Sequence, residues 1–251
     1  MQMLMSRMRA AMQKYNMVSD GDVIAVGVSG GKDSLAMLYA LCEMRRFYPK
    51  SYSVKALTVD MQFGGKPTDY SAIENLCETL GAEYVIKRTE LAKVIFEQRK
   101  EKNPCSLCAK MRRGMLHDAA KEAGCNKIAL GHHLDDAVVT FYMNLLDGGK
   151  IGCFSPVSYL SRKDLTLIRP MVFAYEREVE RAGSRLNLPV IKSACPADGV
   201  TERRRVKELI DSLEKQSGYS SIYQKTLGAL QRASIDGWAV EPNGADGCGK
   251  D

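Results

Sequence analysis

Ser29-Gly30-Gly31-Lys32-Asp33-Ser34 stands between the apolar run Val23-Ile24-Ala25-Val26-Gly27-Val28 and a second apolar stretch through Leu35, Met37, Leu38 and Leu41. The first run reads as a buried strand and the second as a helix. A strand that turns through glycines into a helix N-terminus is an anion site. Its backbone N–H groups approach an oxyanion, and the helix dipole favours negative charge there. Lys32 adds a mobile positive charge, Ser29 and Ser34 add hydroxyls, and Asp33 is a candidate ligand for a phosphate-bound Mg2+. Spacing excludes two other phosphate loops. A Walker loop needs four residues between its glycines and Ser or Thr after the lysine, whereas here three residues separate Gly27 from Gly31 and Asp33 follows Lys32. The dinucleotide fingerprint G-x-G-x-x-G is absent.

At these positions the sequence resembles the PP-loop, SGGxDS, of the N-type ATP pyrophosphatases. The resemblance implies that ATP is split between its α and β phosphates, with AMP moving to a substrate oxygen and pyrophosphate leaving. The competing reading is a glycine turn that merely starts a helix. It is the weaker one, because every position of the motif matches in a strand-to-helix setting.

Further strands follow. Val54, Ala56, Leu57 and Val59 make a second, ending at Asp60; Glu83–Lys87 makes a third, Lys127–Leu130 a fourth, and Leu165, Leu167 and Ile168 a fifth. Helical stretches alternate with them, closing at Gly81, near Gly124 and at Gly148-Gly149. This alternation predicts a parallel sheet with right-handed crossovers. The segments Phe63–Pro67 and Gly131-His132-His133-Leu134-Asp135-Asp136 then share the carboxyl edge with Ser29–Ser34, where open α/β sheets bind ligands. The expected fold is α/β: a five-stranded parallel sheet flanked by helices, Rossmann-like in the PP-loop manner. Residues 1–20 form an N-terminal helix, 21–215 the nucleotide domain with a C-x-x-C insertion, and 216–241 a C-terminal helical extension. Residues 242–251, polar and glycine-rich, are expected to be disordered.

Met1, Met5, Met8 and Met12 recur at helical spacing among Arg7, Arg9 and Lys14, which reads as an amphipathic helix packed on the body, with a basic arm toward RNA as the alternative. Arg177, Arg181 and Arg185 form a stripe that reads as a solvated helix face, or else as one following a phosphate backbone. Thr201 is a candidate cap for the helix bearing Arg203, Arg204 and Arg205. The net charge of +6 permits a nucleic-acid partner without requiring one. No apolar run reaches the ~20 residues that span a bilayer, and the N-terminus carries no signal-peptide core. Eight cysteines without export signals point to a reducing cytoplasm, with thiols kept for metal or chemistry.

Among those cysteines, Cys105-Ser106-Leu107-Cys108 is a C-x-x-C pair, readable as a redox pair, half a zinc site or part of an iron–sulfur site. No second C-x-x-C completes a four-ligand zinc site. Cys42 and Cys77 lie in apolar helical patterns and read as small core residues. Cys195 stands apart, followed by Pro196 and soon by a basic helix. With Cys105 and Cys108 it makes three thiolates, one short of a closed site.

Three stretches narrow the resemblance. Pro104-Cys105-Ser106-Leu107-Cys108 through Lys110-Met111-Arg112-Arg113-Gly114 is similar to the TtcA family, the tRNA 2-thiocytidine synthetases, as are Lys127 to Asp136 and Ile168-Arg169-Pro170. The likeness runs from about residue 7 to 210. It implies a [4Fe–4S] cluster held by Cys105, Cys108 and Cys195, leaving one iron open to sulfide or substrate. The chain departs from the family at Ser193-Ala194-Cys195-Pro196, which has one cysteine where a C-x-x-C is usual. The related uridine thiolases carry terminal zinc fingers, whose absence here favours the cytidine branch.

The resemblance thus implies an ATP-dependent tRNA thiolase. It would adenylate a base carbonyl, expected to be O2 of an anticodon-loop cytidine, and replace that oxygen with sulfur. Its nucleotide site would comprise Ser29, Gly30, Gly31, Lys32, Asp33, Ser34, Asp60, Gly131 and His132. Lys32, Asp33, Asp136 and Cys195 are the expected catalytic residues, with Asp135 a secondary carboxylate. His132 and His133 read equally as hydrogen-bonded loop residues. Arg112, Arg113, Arg203 and Arg204 are the expected tRNA contacts. ATP is the co-substrate, and the partners are tRNA, a sulfur donor (a cysteine desulfurase or free sulfide) and a second copy of the chain in a homodimer. The rival is another PP-loop adenylating enzyme, lysidine synthetase-like or a small-molecule amidotransferase, with structural zinc. A non-catalytic ATP-regulated sensor is a third reading.

Overall fold

A computed structural model describes residues 1–98, 104–192, 195, 202–216 and 221–239, without the side chains of 96–98 and of Cys105. The expectations for Thr201 and for the tail at 242–251 lie outside the described residues. The chain forms two compact units, residues 1–134 with 157–201, and residues 135–156 with 202–251.

The first unit is built on a sheet. Its strands are β1 (Asp22–Gly27), β2 (Tyr52–Asp60), β3 (Glu83–Arg88), β4 (Lys127–Ala129), β5 (Val157–Leu160) and β6 (Leu165–Ile168), in the order β3-β2-β1-β4-β6-β5. All neighbours are parallel except β5 and β6. The sheet therefore has six strands, not five. The missed β5 is a short edge strand paired antiparallel to β6, and its residues are half-buried or exposed. Without two covered faces it lacks the apolar run that marks a central parallel strand. By contrast Ile24, Ala25 and Val26 of β1 are fully buried, as are Ala56 of β2 and Ile128 of β4.

Helices α2 (Lys32–Met44), α3 (Ser71–Thr79) and α4 (Pro104–Glu122) fill crossovers of this unit, while α1 (Gln2–Lys14) precedes the first strand and α6 (Glu176–Arg185) follows the last. The helix between α4 and α6 in chain order, α5 (Leu134–Leu146), leaves this unit after its first residue. α2 is buried nearly all round, with Leu35, Ala36, Met37, Leu38, Ala40 and Leu41 fully covered. α1 buries Leu4, Met8, Ala11 and Met12. That matches the packed-helix reading, and Arg7 lies over the Tyr175 ring, 5.8 Å from its centroid. On α6, Arg177, Arg181 and Arg185 are exposed, and Arg177 covers the other contact to Tyr175, at 4.7 Å.

The strand order places the reversal point at β1 and β4. β2 lies to one side of β1 and β4 to the other, so the crevice beyond their carboxyl ends is where a ligand enters. At the opposite edge a buried pair clamps the same two strands. Lys127 Nζ lies 2.9 Å from Asp22 Oδ2 and donates to the Met17 carbonyl at 2.8 Å. Asn126 Nδ2 donates to Asp22 Oδ1 at 2.7 Å.

The second unit comprises the rest of α5 with α7 (Glu202–Lys215) and α8 (Ile222–Arg232). The buried Trp238 donates its indole N–H to the Phe154 carbonyl at 2.8 Å, and Asp236 Oδ2 accepts from the Cys153 amide at 2.6 Å. No helix among the described residues is long and apolar enough to cross a membrane.

Candidate active site

Ser29–Ser34 follows β1 and opens α2, whose first residue is Lys32. The loop is tied from within. Ser34 Oγ donates to the Gly31 carbonyl at 2.9 Å and accepts from the Ser29 amide at 3.2 Å. Ser29 Oγ accepts from the Gly31 amide at 3.3 Å. Beneath the loop, Thr58 Oγ1 of β2 donates to the Val28 carbonyl at 2.9 Å and meets Tyr84 Oη at 2.8 Å. Gly30 has φ +84°, and a Cβ built there would lie 3.2 Å from Ile191 Cβ. The Ile191 amide donates to the Gly30 carbonyl at 3.0 Å. Ile191, which follows α6 in the chain, is therefore bonded directly to the loop.

Lys32 projects from this turn into three carboxylates. Its Nζ lies 3.0 Å from Glu176 Oε1, 3.1 Å from Asp33 Oδ1 and 3.7 Å from Glu180 Oε1. Partial burial pulls its pKa down, but Asp33 and Glu176 outweigh that and hold it above the ordinary lysine value. The ammonium stays charged across the physiological range.

Gly131, after β4, packs against the start of α2. A Cβ at Gly131 would sit 3.4 Å from the Asp33 carbonyl carbon and from the Ser34 nitrogen. His132 Nδ1 accepts from Arg169 Nε at 3.3 Å, which links the ends of the neighbouring strands β4 and β6. His133 is buried. Asp60, at the end of β2, is also buried. Its carboxylate accepts from the Gln62 and Thr68 amides at 3.1 Å each and from Thr68 Oγ1 at 3.2 Å, fixing the loop beyond the strand.

The three expected cluster cysteines all lie in the same unit as this loop. Cys108, half-buried in the first turns of α4, packs against an apolar group that includes Val59 and Met61 at the end of β2 and Ile95 of the helical turn Lys93–Gln98. Cys105 is three positions earlier on α4. Cys195, also half-buried, comes four residues after Ile191. Among the described residues no three His, Cys, Asp or Glu side chains converge as a metal cage, and the Cys105 side chain is not one of those described. One thiol of the expected set, that of Cys108, lies beside an apolar wall at the sheet edge that carries the anion loop, a setting that suits an iron–sulfur ligand.

Cys42 and Cys77 are buried, and burial pushes their thiols up to about 11 and about 12, as suits core residues. Asp135 and Asp136 fall in the second unit. There Asp136 Oδ1 accepts from Arg203 Nη1 at 3.0 Å, and Arg203 Nη2 donates to Thr140 at 2.9 Å. Arg204 pairs with Glu208 at 2.9 Å. On α4, Arg112 is half-buried and Arg113 exposed. Sequence reasoning missed Glu176, Glu180, Arg169 and Ile191 as neighbours of the site. The i, i+4 spacing of Glu176 and Glu180 was the only local signal.

A PP-loop domain model matches residues 3–213. A tRNA-cytidine(32) 2-sulfurtransferase of Ralstonia pickettii (strain 12J) is 36% identical over 216 residues, covering 85% of this chain and 68% of its own. One of Syntrophotalea carbinolica is 39% identical over 223 residues, covering 88% of this chain and 85% of its own. The chain belongs to the TtcA family of PP-loop proteins. Among solved structures, the U34-tRNA thiolase NcsA of Methanococcus maripaludis, with its [4Fe–4S] cluster, superposes with a TM-score of 0.71 at 29% identity, over 90% of this chain and 78% of its own. Ser29–Ser34 lies within the matched PP-loop domain.

Proposed function

We propose that this TtcA-family chain thiolates C2 of a cytidine in tRNA, at position 32 as the names of its relatives specify. One observation carries the reading. The packing of Cys108 beside Val59 and Met61, at the end of β2, supports a cysteine site on the same sheet edge as the Ser29–Ser34 loop.

The amides at the start of α2, the Ser29 and Ser34 hydroxyls and the Lys32 ammonium orient the triphosphate. They stabilise the charge that grows on the α-phosphate and on the leaving pyrophosphate. Asp33 is the candidate Mg2+ ligand, and the ion would neutralise part of that charge. The cytidine O2 bonds to the α-phosphorus as the bond to the β-phosphate bridging oxygen breaks. The adenylated oxygen then leaves C2 as AMP while sulfur takes its place. Cys105, Cys108 and Cys195 would hold a [4Fe–4S] cluster, which would supply an open iron for sulfur delivery. Arg112 and Arg113, close in sequence to the C-x-x-C pair, are the candidate contacts to the tRNA backbone. A cysteine desulfurase or free sulfide provides the sulfur, and a homodimer completes the RNA surface.

The test is nucleoside mass spectrometry of tRNA from a strain lacking this chain. Loss of 2-thiocytidine, restored by the wild type but not by Cys108→Ala, is the expected result. An unchanged profile would overturn the reading, as would anaerobically purified protein holding one zinc and no acid-labile sulfide.

A further inference from the structure

Glu176 and Glu180 lie one turn apart on α6, and both carboxylates face the Lys32 ammonium, at 3.0 Å and 3.7 Å. Asp33 takes a third side at 3.1 Å. Three carboxylates thus compete for the one ammonium of a loop that the PP-loop reading assigns to a polyanion. The arrangement is not a surface accident. Lys32 and Glu176 side chains are 32% and 27% exposed, so solvent screens their pairing only in part. Glu180, at 52%, is screened more.

A triphosphate reaching Lys32 must displace the Glu176 carboxylate and then tolerate it nearby. The cost falls hardest on metal-free ATP, whose charge is about −4, and least on ATP carrying a divalent cation. We propose that Glu176, assisted by Glu180, is a specificity-determining residue of the ATP site. Its carboxylate competes with phosphate for Lys32 and makes the loop select chelated ATP over the free triphosphate. The proposal rests on Lys32 contacting the triphosphate, the PP-loop reading of the site.

Calorimetric titration with ATP, in EDTA and then in Mg2+, tests it. Glu176→Gln is expected to tighten binding of metal-free ATP by about 10-fold and of Mg-ATP by about 3-fold or less, with Glu180→Gln showing a smaller change of the same sign. Glu176→Asp, which keeps the charge, should retain the wild-type preference, and a melting curve confirms that each variant folds. Unchanged or weaker metal-free binding by Glu176→Gln would overturn the proposal, because a merely structural glutamate can only loosen the site. Equal tightening with and without metal, or Glu176→Asp behaving like Glu176→Gln, would overturn it too. Should Lys32→Ala bind ATP as well as the wild type, the proposal fails at its premise, not at Glu176.

Discussion

Gly30 and Gly31 are adjacent and look interchangeable in the motif, yet the structure separates them. Gly30 has φ +84° and a neighbour, Ile191 Cβ, 3.2 Å from where a Cβ would stand. Gly31 has neither a positive φ nor a contact nearer than Ser29 Oγ at 3.4 Å. Gly30→Ala is therefore expected to cost about 1–3 kcal/mol and to abolish ATP binding, while Gly31→Ala leaves the fold intact. Urea unfolding and ATP titration of the two variants check this. The residue types of the anion site were legible because strand, turn and helix are contiguous. The setting of Lys32 was not, since Glu176 lies 144 positions away in the chain.

At the scale of elements, β1 and β4 carry the Ser29–Ser34 loop and Gly131 at one end and share a buried clamp at the other. Lys127 and Asp22 side chains are 11% and 5% exposed, so neither charge has water to fall back on. Lys127→Met leaves the buried Asp22 carboxylate without its counter-ion, keeping only the Asn126 and Ser19 donors, and is expected to cost about 3 kcal/mol. Lys127→Met with Asp22→Asn should recover part of that loss, which thermal melting of the single and double variants measures. The central strands were evident from their apolar runs, and the alternation with helices predicted their parallel pairing. β5 was not evident, because Val157-Ser158-Tyr159-Leu160 is an edge segment whose Tyr159 is 63% exposed. Its pairing with β6 comes from register, not from composition.

For the whole molecule, the buried thiols Cys42 and Cys77 tie stability to pH. In the unfolded chain each ionises near 9.0; in the folded protein burial delays this to about 11 and about 12. Below about pH 9 both states are protonated and the thiols add no pH dependence. Above it the unfolded chain sheds protons that the folded chain keeps, so stability falls by about 1 kcal/mol per pH unit for each thiol. Urea unfolding under reductant at about pH 8 and about pH 10 should show this slope, and Cys42→Ala with Cys77→Ala should flatten it. The same burial means that neither thiol is alkylated at neutral pH in the native state.

By itself the amino-acid order determined the nucleotide loop, the parallel α/β sheet and the membership of a thiolase family. Each of these is written in neighbouring residues or in a short repeat of apolar positions. Only the tertiary structure decided which glycine bears the strained backbone, that α6 brings Glu176 and Glu180 to Lys32, and that Ile191 is bonded to Gly30. It also assigned Asp136 and Arg203 to each other within the second unit. These are contacts between positions far apart in the chain, and chain folding rather than local propensity sets the distances on which charge and hydrogen bonding act.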